Sequence, residues 1–169
     1  MPCLVAALKR RLPRRGRRAA APILLDSRYA LLTYRGLTIA APNESEVEHA
    51  LGVTIGDHVP TLERAGRELL RRTRMSAVLV TRGSRGMALF EPDRPTQHLP
   101  IYGSDEVADV TGAGDTVIAT MAMALGVGGS AHEAALLANY AGGLVVMKRG
   151  TATVTADELQ QAIVTDLEA

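Results

Sequence analysis

Met75-Ser76-Ala77-Val78-Leu79-Val80-Thr81 is a short apolar run with β-branched character, and Arg82-Gly83-Ser84-Arg85-Gly86 follows it at once. A run of this length, bounded by turn signals, reads as a strand buried on both faces. Upstream, residues 61–74 and 44–51 carry helical patterns, and residues 37–41 and 23–25 are two further apolar runs that read as strands. Strand, helix, strand is the order of α/β architecture. Downstream, residues 87–90 and 97–101 flank Glu91-Pro92-Asp93-Arg94-Pro95, which predicts a hairpin at one sheet edge and hence a mixed sheet. The last third reads as three helices, over 112–125, 131–147 and 156–167. The last of these opens on Thr155 with Glu158 three residues on, a capping box. No internal repeat is visible.

Composition sets the class. The chain has 169 residues, 47% hydrophobic and 22% charged, enough for one globular domain that buries about 70% of its unfolded surface. Residues 116–131 form the longest uncharged stretch, which is shorter than the roughly 18 apolar residues a membrane-spanning helix needs and contains four glycines or serines. No membrane partner is expected. The apolar residues 4–8 precede Lys9, Arg10 and Arg11, the reverse of a secretory signal, so a cytoplasmic location is expected. Cys3 is the single cysteine, which excludes an internal disulfide and a multi-cysteine metal site.

The formal charge of +1 is unevenly spread. Residues 1–18 hold seven of the 19 basic residues and no acid, leaving twelve basic against eighteen acidic residues, a net of −6, over the remainder. A basic arm points to nucleic acid or anionic lipid. Against that, Leu4, Val5, Leu8 and Leu12 fit the apolar stripe of a surface helix whose other face is basic. Single-strand binders also interleave aromatics for base stacking, and the arm has none, which argues against a nucleic-acid partner. Residues 1–22 therefore read as a basic helical segment and residues 23–169 as the main domain.

Asp109-Val110-Thr111-Gly112-Ala113-Gly114-Asp115-Thr116 carries the most chemical information. The helix that follows is apolar on nearly all sides over 116–125, so it is expected to be buried. Small residues ahead of it let a ligand approach the free N–H groups of the helix start. Those donors and the positive helix end would stabilise a transferring phosphoryl group, with Gly112, Ala113 and Gly114 as an anion hole. Asp115, in the same turn, is placed to accept the proton of an attacking hydroxyl, or merely to complement the helix dipole. A P-loop is absent, and a dinucleotide fingerprint would need glycine at Val117.

This stretch resembles the Asp-x-x-Gly-Ala-Gly-Asp signature of the ribokinase-like, PfkB-type carbohydrate kinases. Asn43-Glu44-Ser45-Glu46 resembles the family's Asn-x-x-Glu motif, although Asn43 with Glu46 also fits a capping box. Thr81-Arg82-Gly83-Ser84-Arg85-Gly86 is similar to the family's nucleotide-contacting strand-end loop, although such a turn is common without a ligand. Asn139 matches a position near the adenine pocket in relatives, or is a small polar residue satisfied inside a helix pair. Tyr34-Arg35-Gly36, Ala41-Pro42-Asn43 and Lys148-Arg149-Gly150-Thr151-Ala152 look most like the kinase domain of bacterial heptose-phosphate kinases, the enzymes of ADP-heptose synthesis.

The resemblance implies the C-terminal part of a Rossmann-type layered fold, with a mixed sheet flanked by helices and the N-terminal half and lid missing. It implies ATP-dependent phosphorylation of a sugar or sugar-phosphate hydroxyl with Asp115 as general base. It places Asn43, Thr81, Gly83, Gly86 and Asn139 at the nucleotide, Glu46 on magnesium through water, and Asp109 with the loop around Gly150 at a monovalent cation such as K⁺. Missing strands would leave a sheet edge and an apolar face to be covered, so a homo-oligomer or a completing partner chain is expected. The alternatives are a catalytically silent nucleotide-binding module and, more weakly, a basic-armed nucleic-acid binder.

Overall fold

A computed structural model of the chain describes residues 21–103 and 110–168. The basic arm and Asp109 lie outside the described residues. Five strands, β1 (Leu24–Leu25), β2 (Ile39–Ala40), β3 (Ala77–Thr81), β4 (Met87–Phe90) and β5 (Gln97–Leu99), form one sheet in the order β1-β2-β3-β4-β5. The first three run parallel, whereas β4 and β5 are antiparallel to their neighbours. This is the mixed sheet with an edge hairpin that the sequence predicts. The helices are α1 (Glu44–Leu51), α2 (Val59–Thr73), α3 (Ala113–Gly126), α4 (Ala131–Val146) and α5 (Ala156–Leu167).

Side-chain alternation builds a core on each sheet face. Val78 and Val80 of β3 and Ala88 and Phe90 of β4 pack with Val47, Leu62, Ala65 and Leu69 of α1 and α2. The intervening Ala77, Leu79, Met87 and Leu89 pack on the opposite face with Val117, Met121, Ala134 and Ala138 of α3 and α4. A period of two on central strands delivers apolar side chains to both layers, which is why these strands read as continuous apolar runs. Packing under Phe90 is tight enough to require glycine at position 66, where a Cβ would meet the Phe90 ring at 2.3–2.5 Å. Phe90 is fully buried, so Gly66→Ala is expected to destabilise by about 1–3 kcal/mol through overpacking. A urea titration that leaves the midpoint unchanged would refute the crowding.

One expectation is corrected. The α3 segment does not sit inside the core: Val117, Thr120, Met121 and Ala124 are its buried residues, and Met123 is 67% exposed. The buried set follows i, i+3, i+4, i+7, the single stripe of a helix packed on one side. High apolar content on the outer flank does not bury a helix that has no neighbour there among the described residues.

At the far end of α4 the chain turns back toward α5. The Lys148 ammonium holds this turn, donating to the Thr153 carbonyl at 2.7 Å and to Glu158 Oε1 at 2.6 Å. Lys148 and the Thr155 cap hold the Glu158 carboxyl down to about 2, from an ordinary 4.5. A carboxyl lowered on folding stabilises fully above its ordinary value and loses that contribution as pH falls through the folded one. The gap in melting temperature between the chain and Glu158→Gln is therefore expected to be open at neutral pH and to close as pH approaches 2.

Candidate functional site

Ligands of open α/β sheets bind beyond the carboxyl ends of the parallel strands. Here that end gathers β2, which runs into Asn43, and β3, which ends at Thr81. Asn43 and Thr81 form a parallel bridge, and the Thr81 N–H donates to the Pro42 carbonyl at 3.0 Å. The chain after Thr81 then turns sharply: Arg82 N–H donates to Gly86 O at 2.9 Å, and Gly83 and Gly86 take φ of +57° and +74°. These dihedrals are open to glycine at little cost, which explains the glycines that bound this turn.

A cavity of about 310 Å³ opens between this turn and the start of α3, within the size range of small-molecule sites. Asn43, Thr81, Gly83, Gly86, Ala113, Gly114 and Asn139 all line it, so seven positions singled out in the sequence, from segments far apart along the chain, meet at one cavity. Met87, Ile101, Val110, Val117 and Val146 supply its apolar surface. Mostly apolar walls with a few placed polar groups are the usual composition of a cofactor slot.

Each polar group has an assigned geometry. Gly112 caps α3 with φ +80° and ψ 0°, a left-handed conformation. The Ala113 N–H donates to Val110 O at 3.2 Å. Gly114 and Asp115 are in the first turn, where N–H groups have no i−4 carbonyl within the helix. Asn139 is 8% exposed and donates from Nδ2 to the Pro100 carbonyl at 2.7 Å. Its partner is thus a loop rather than a second helix, and the loop is the one that continues from β5 into the cavity wall.

Three predicted residues sit apart from the cavity lining. Gly112 and Asp115 lie beside it at the helix start, with Asp115 exposed to solvent. Glu46 occupies an adjoining surface depression that shares Asn43 with the cavity. Its Oε2 accepts the Asn43 N–H at 3.0 Å while Asn43 Oδ1 accepts the Glu46 N–H at 2.9 Å, so the capping box is formed. No hydrogen bond engages Glu46 Oε1 among the described residues. Magnesium on a polyphosphate takes most of its ligands from phosphate and water and needs only one or two carboxylates, so a capped Glu46 with one carboxylate oxygen left over fits that use.

Sequence reading missed Gly142 and Gly143, which form part of the cavity wall on α4. At Gly142 a Cβ would lie 3.1 Å from Val117 Cγ2, and at Gly143 only 2.3 Å from the Tyr102 carbonyl oxygen. The signal was available: each glycine inside a helix forgoes about 1 kcal/mol against alanine, so an adjacent pair marks a close approach.

Comparison with known proteins places this geometry among sugar kinases. A model of the family described as "pfkB family carbohydrate kinase" matches residues 5–158. The chain is 48% identical over 148 residues to the Bifunctional protein HldE of Methylococcus capsulatus, covering 87% of this chain and 31% of that protein. Across similar relatives of that name the chain spans 29–32% of their length. Among solved structures, Arabidopsis thaliana ribokinase complexed with ribose and ATP is 28% identical with a TM-score of 0.67, covering 75% of this chain and 41% of that one. Escherichia coli phosphofructokinase-2 in complex with potassium is 18% identical with a TM-score of 0.71, covering 79% and 42%, a likeness of fold.

Proposed function

Because this chain belongs to the pfkB family of carbohydrate kinases, we propose that its cavity holds ATP and that the terminal phosphoryl group passes to a hydroxyl of a sugar or sugar phosphate. The supporting observation is the convergence of Asn43, Thr81, Gly83, Gly86, Ala113, Gly114 and Asn139 on one cavity at the carboxyl end of the parallel strands. Resemblance at Tyr34-Arg35-Gly36 and Lys148-Arg149-Gly150-Thr151-Ala152 makes a heptose 7-phosphate the first acceptor to try.

The roles follow from the chemistry. In this reading the Gly83–Gly86 turn and Gly142 and Gly143 would hold the base and ribose, and the start of α3 would hold the phosphates. The Gly112–Gly114 amides and the helix dipole hold the anionic oxygens in place. Asp115 takes the proton as the acceptor oxygen bonds to the γ-phosphorus. The bond from that phosphorus to the β,γ-bridging oxygen breaks, and ADP leaves with the electron pair. Glu46 would hold a magnesium ion through water, and that ion would supply charge neutralisation at the phosphates. By the family resemblance, Asp109 and the loop around Gly150 would hold a monovalent cation, which would supply positive charge beside the anion hole.

A second reading is favoured by one observation: Asp115 is exposed to solvent, and a general base works best where water is excluded. Under it the chain binds nucleotide without turnover. In either case the outer edge of β1 bears no strand among the described residues, and Met123 and Val127 are 67% and 90% exposed, which supports a further chain or second copy covering these surfaces. Calorimetry with ATP, run alongside ADP release with sugars that include heptose 7-phosphate, separates the readings. ATP binding with sugar-dependent ADP release is expected. Binding alone selects the silent module, and no binding removes both.

A further inference from the structure

The Gly83–Gly86 turn forms one rim of the cavity, yet with two glycines at positive φ it has little stiffness of its own. Its anchor lies behind it. Arg82, whose side chain is 8% exposed, is not part of the cavity lining and donates from Nε to Glu44 Oε2 at 2.7 Å and from Nη2 to the Gly56 carbonyl at 2.9 Å. Arg85, from the same turn, donates to the other oxygen of that carboxylate at 2.6 Å and to Asp57 at 2.5 Å. Glu44 is 12% exposed. It is also the first residue of α1, directly after Asn43, a cavity-lining residue bridged to Thr81 at the base of the turn. One carboxylate therefore ties both guanidinium groups of the turn to the helix start that carries Asn43.

Burying this pair forfeits hydration that an apolar pair of similar volume would not, so ion pairs of this kind are poor devices for stability. They are good devices for direction, because a planar guanidinium has fixed donor angles. Resting on the nucleotide reading of the cavity, the geometry points to Glu44, Arg82 and Arg85 as positioning residues that fix the Gly83–Gly86 turn to the α1 start carrying Asn43 and so hold this rim of the nucleotide slot in its working place. None of the three lines the cavity.

Two substitutions test this. Arg82→Met leaves Glu44 short of its most buried partner and is expected to lower the melting temperature and weaken ATP binding. If the turn is then competent a tenth of the time, apparent affinity falls about tenfold. Arg82→Met combined with Glu44→Met removes both buried charges and is expected to recover much of the melting temperature while ATP affinity stays weak. Recovery of affinity along with stability would show that the pair serves the fold only and would overturn the inference. Should the double variant not fold, Glu44→Gln, which keeps the shape and loses the charge, is read by amide hydrogen exchange. Faster exchange at residues 83–86 with β3 unchanged is expected, and unchanged exchange at the turn overturns the inference. Gly66→Ala, which disturbs α2 away from the slot, controls for instability and is expected to leave ATP affinity intact. Failure of the unsubstituted chain to bind ATP would instead sink the nucleotide reading, with the exchange result still deciding the clamp.

Discussion

Gly86→Ala is expected to leave a chain that is largely unfolded under mild denaturing conditions, whereas Gly83→Ala, three residues away in the same turn, is expected to fold. Both glycines have positive φ, +74° and +57°, so both substitutions carry backbone strain. They differ in what the new Cβ meets. At Gly83 it meets nothing within 4 Å, and the cost is about 1–2 kcal/mol for placing an L-residue in the left-handed region. At Gly86 the backbone has ψ −138°, outside the left-handed helical well and in space that is nearly glycine-only. The Cβ would also lie 2.1 Å from the Leu99 carbonyl oxygen and 2.9 Å from Ile101 N. Those are backbone atoms at the end of β5, so no rotamer change relieves the clash and the β4–β5 edge must move. Strain and overpacking together come to about 2–6 kcal/mol, a large part of a typical stability of 5–15 kcal/mol. Guanidinium titrations of the two variants side by side measure the contrast, and equal midpoints would refute it.

The contrast bears on how much of this molecule its sequence discloses. Elements with chemical end markers were legible to the residue. The span 44–51 starts at an Asn-x-x-Glu cap and 156–167 at a Thr-x-x-Glu cap, and both boxes are formed in the structure. A third box, Ser130 with Glu133, opens α4 and could have been read the same way. The parallel strands were located but overestimated: residues 37–41 pair only at Ile39 and Ala40. Apolar runs report burial, and strand length is set by how far neighbouring strands overlap. The α3 helix shows the limit most clearly. Its composition predicts enclosure, but enclosure requires a neighbour, and composition carries no information about which neighbours are present.

The site divides along the same line. Residues in short motifs, such as Gly83, Gly86 and Gly114, were singled out from those motifs and the family resemblance they carry, and the structure brings them to one cavity. Residues whose role comes from tertiary approach were not singled out. The Gly142–Gly143 pair signals a close approach in the sequence, but its partners, Val117 and Tyr102, appear only in the structure, and Arg82 acquires its role only once Glu44 lies against it. Glu46 is the instructive overlap, since one carboxylate oxygen completes a cap that local pattern foretold and the other stays available to a ligand.

Asp115→Asn is expected to abolish sugar-dependent ADP release by a factor of about 10² to 10⁴ while leaving ATP affinity nearly unchanged. The side chains are close in shape, so the substitution tests protonation chemistry rather than packing. Asparagine cannot take a proton from the acceptor hydroxyl, and the nucleophile must then attack without assistance. ATP affinity should survive because Asp115 lies beside the cavity and is not among its lining residues. If Asp115 only complements the α3 dipole, the outcome differs: an exposed first-turn acid contributes about 0.3–1 kcal/mol, so stability would dip slightly and the rate would hold. A kinetic comparison under saturating ATP, with the melting temperature of each protein recorded, separates the two. Undiminished turnover in Asp115→Asn removes the general-base role, whatever the nucleotide titration gives.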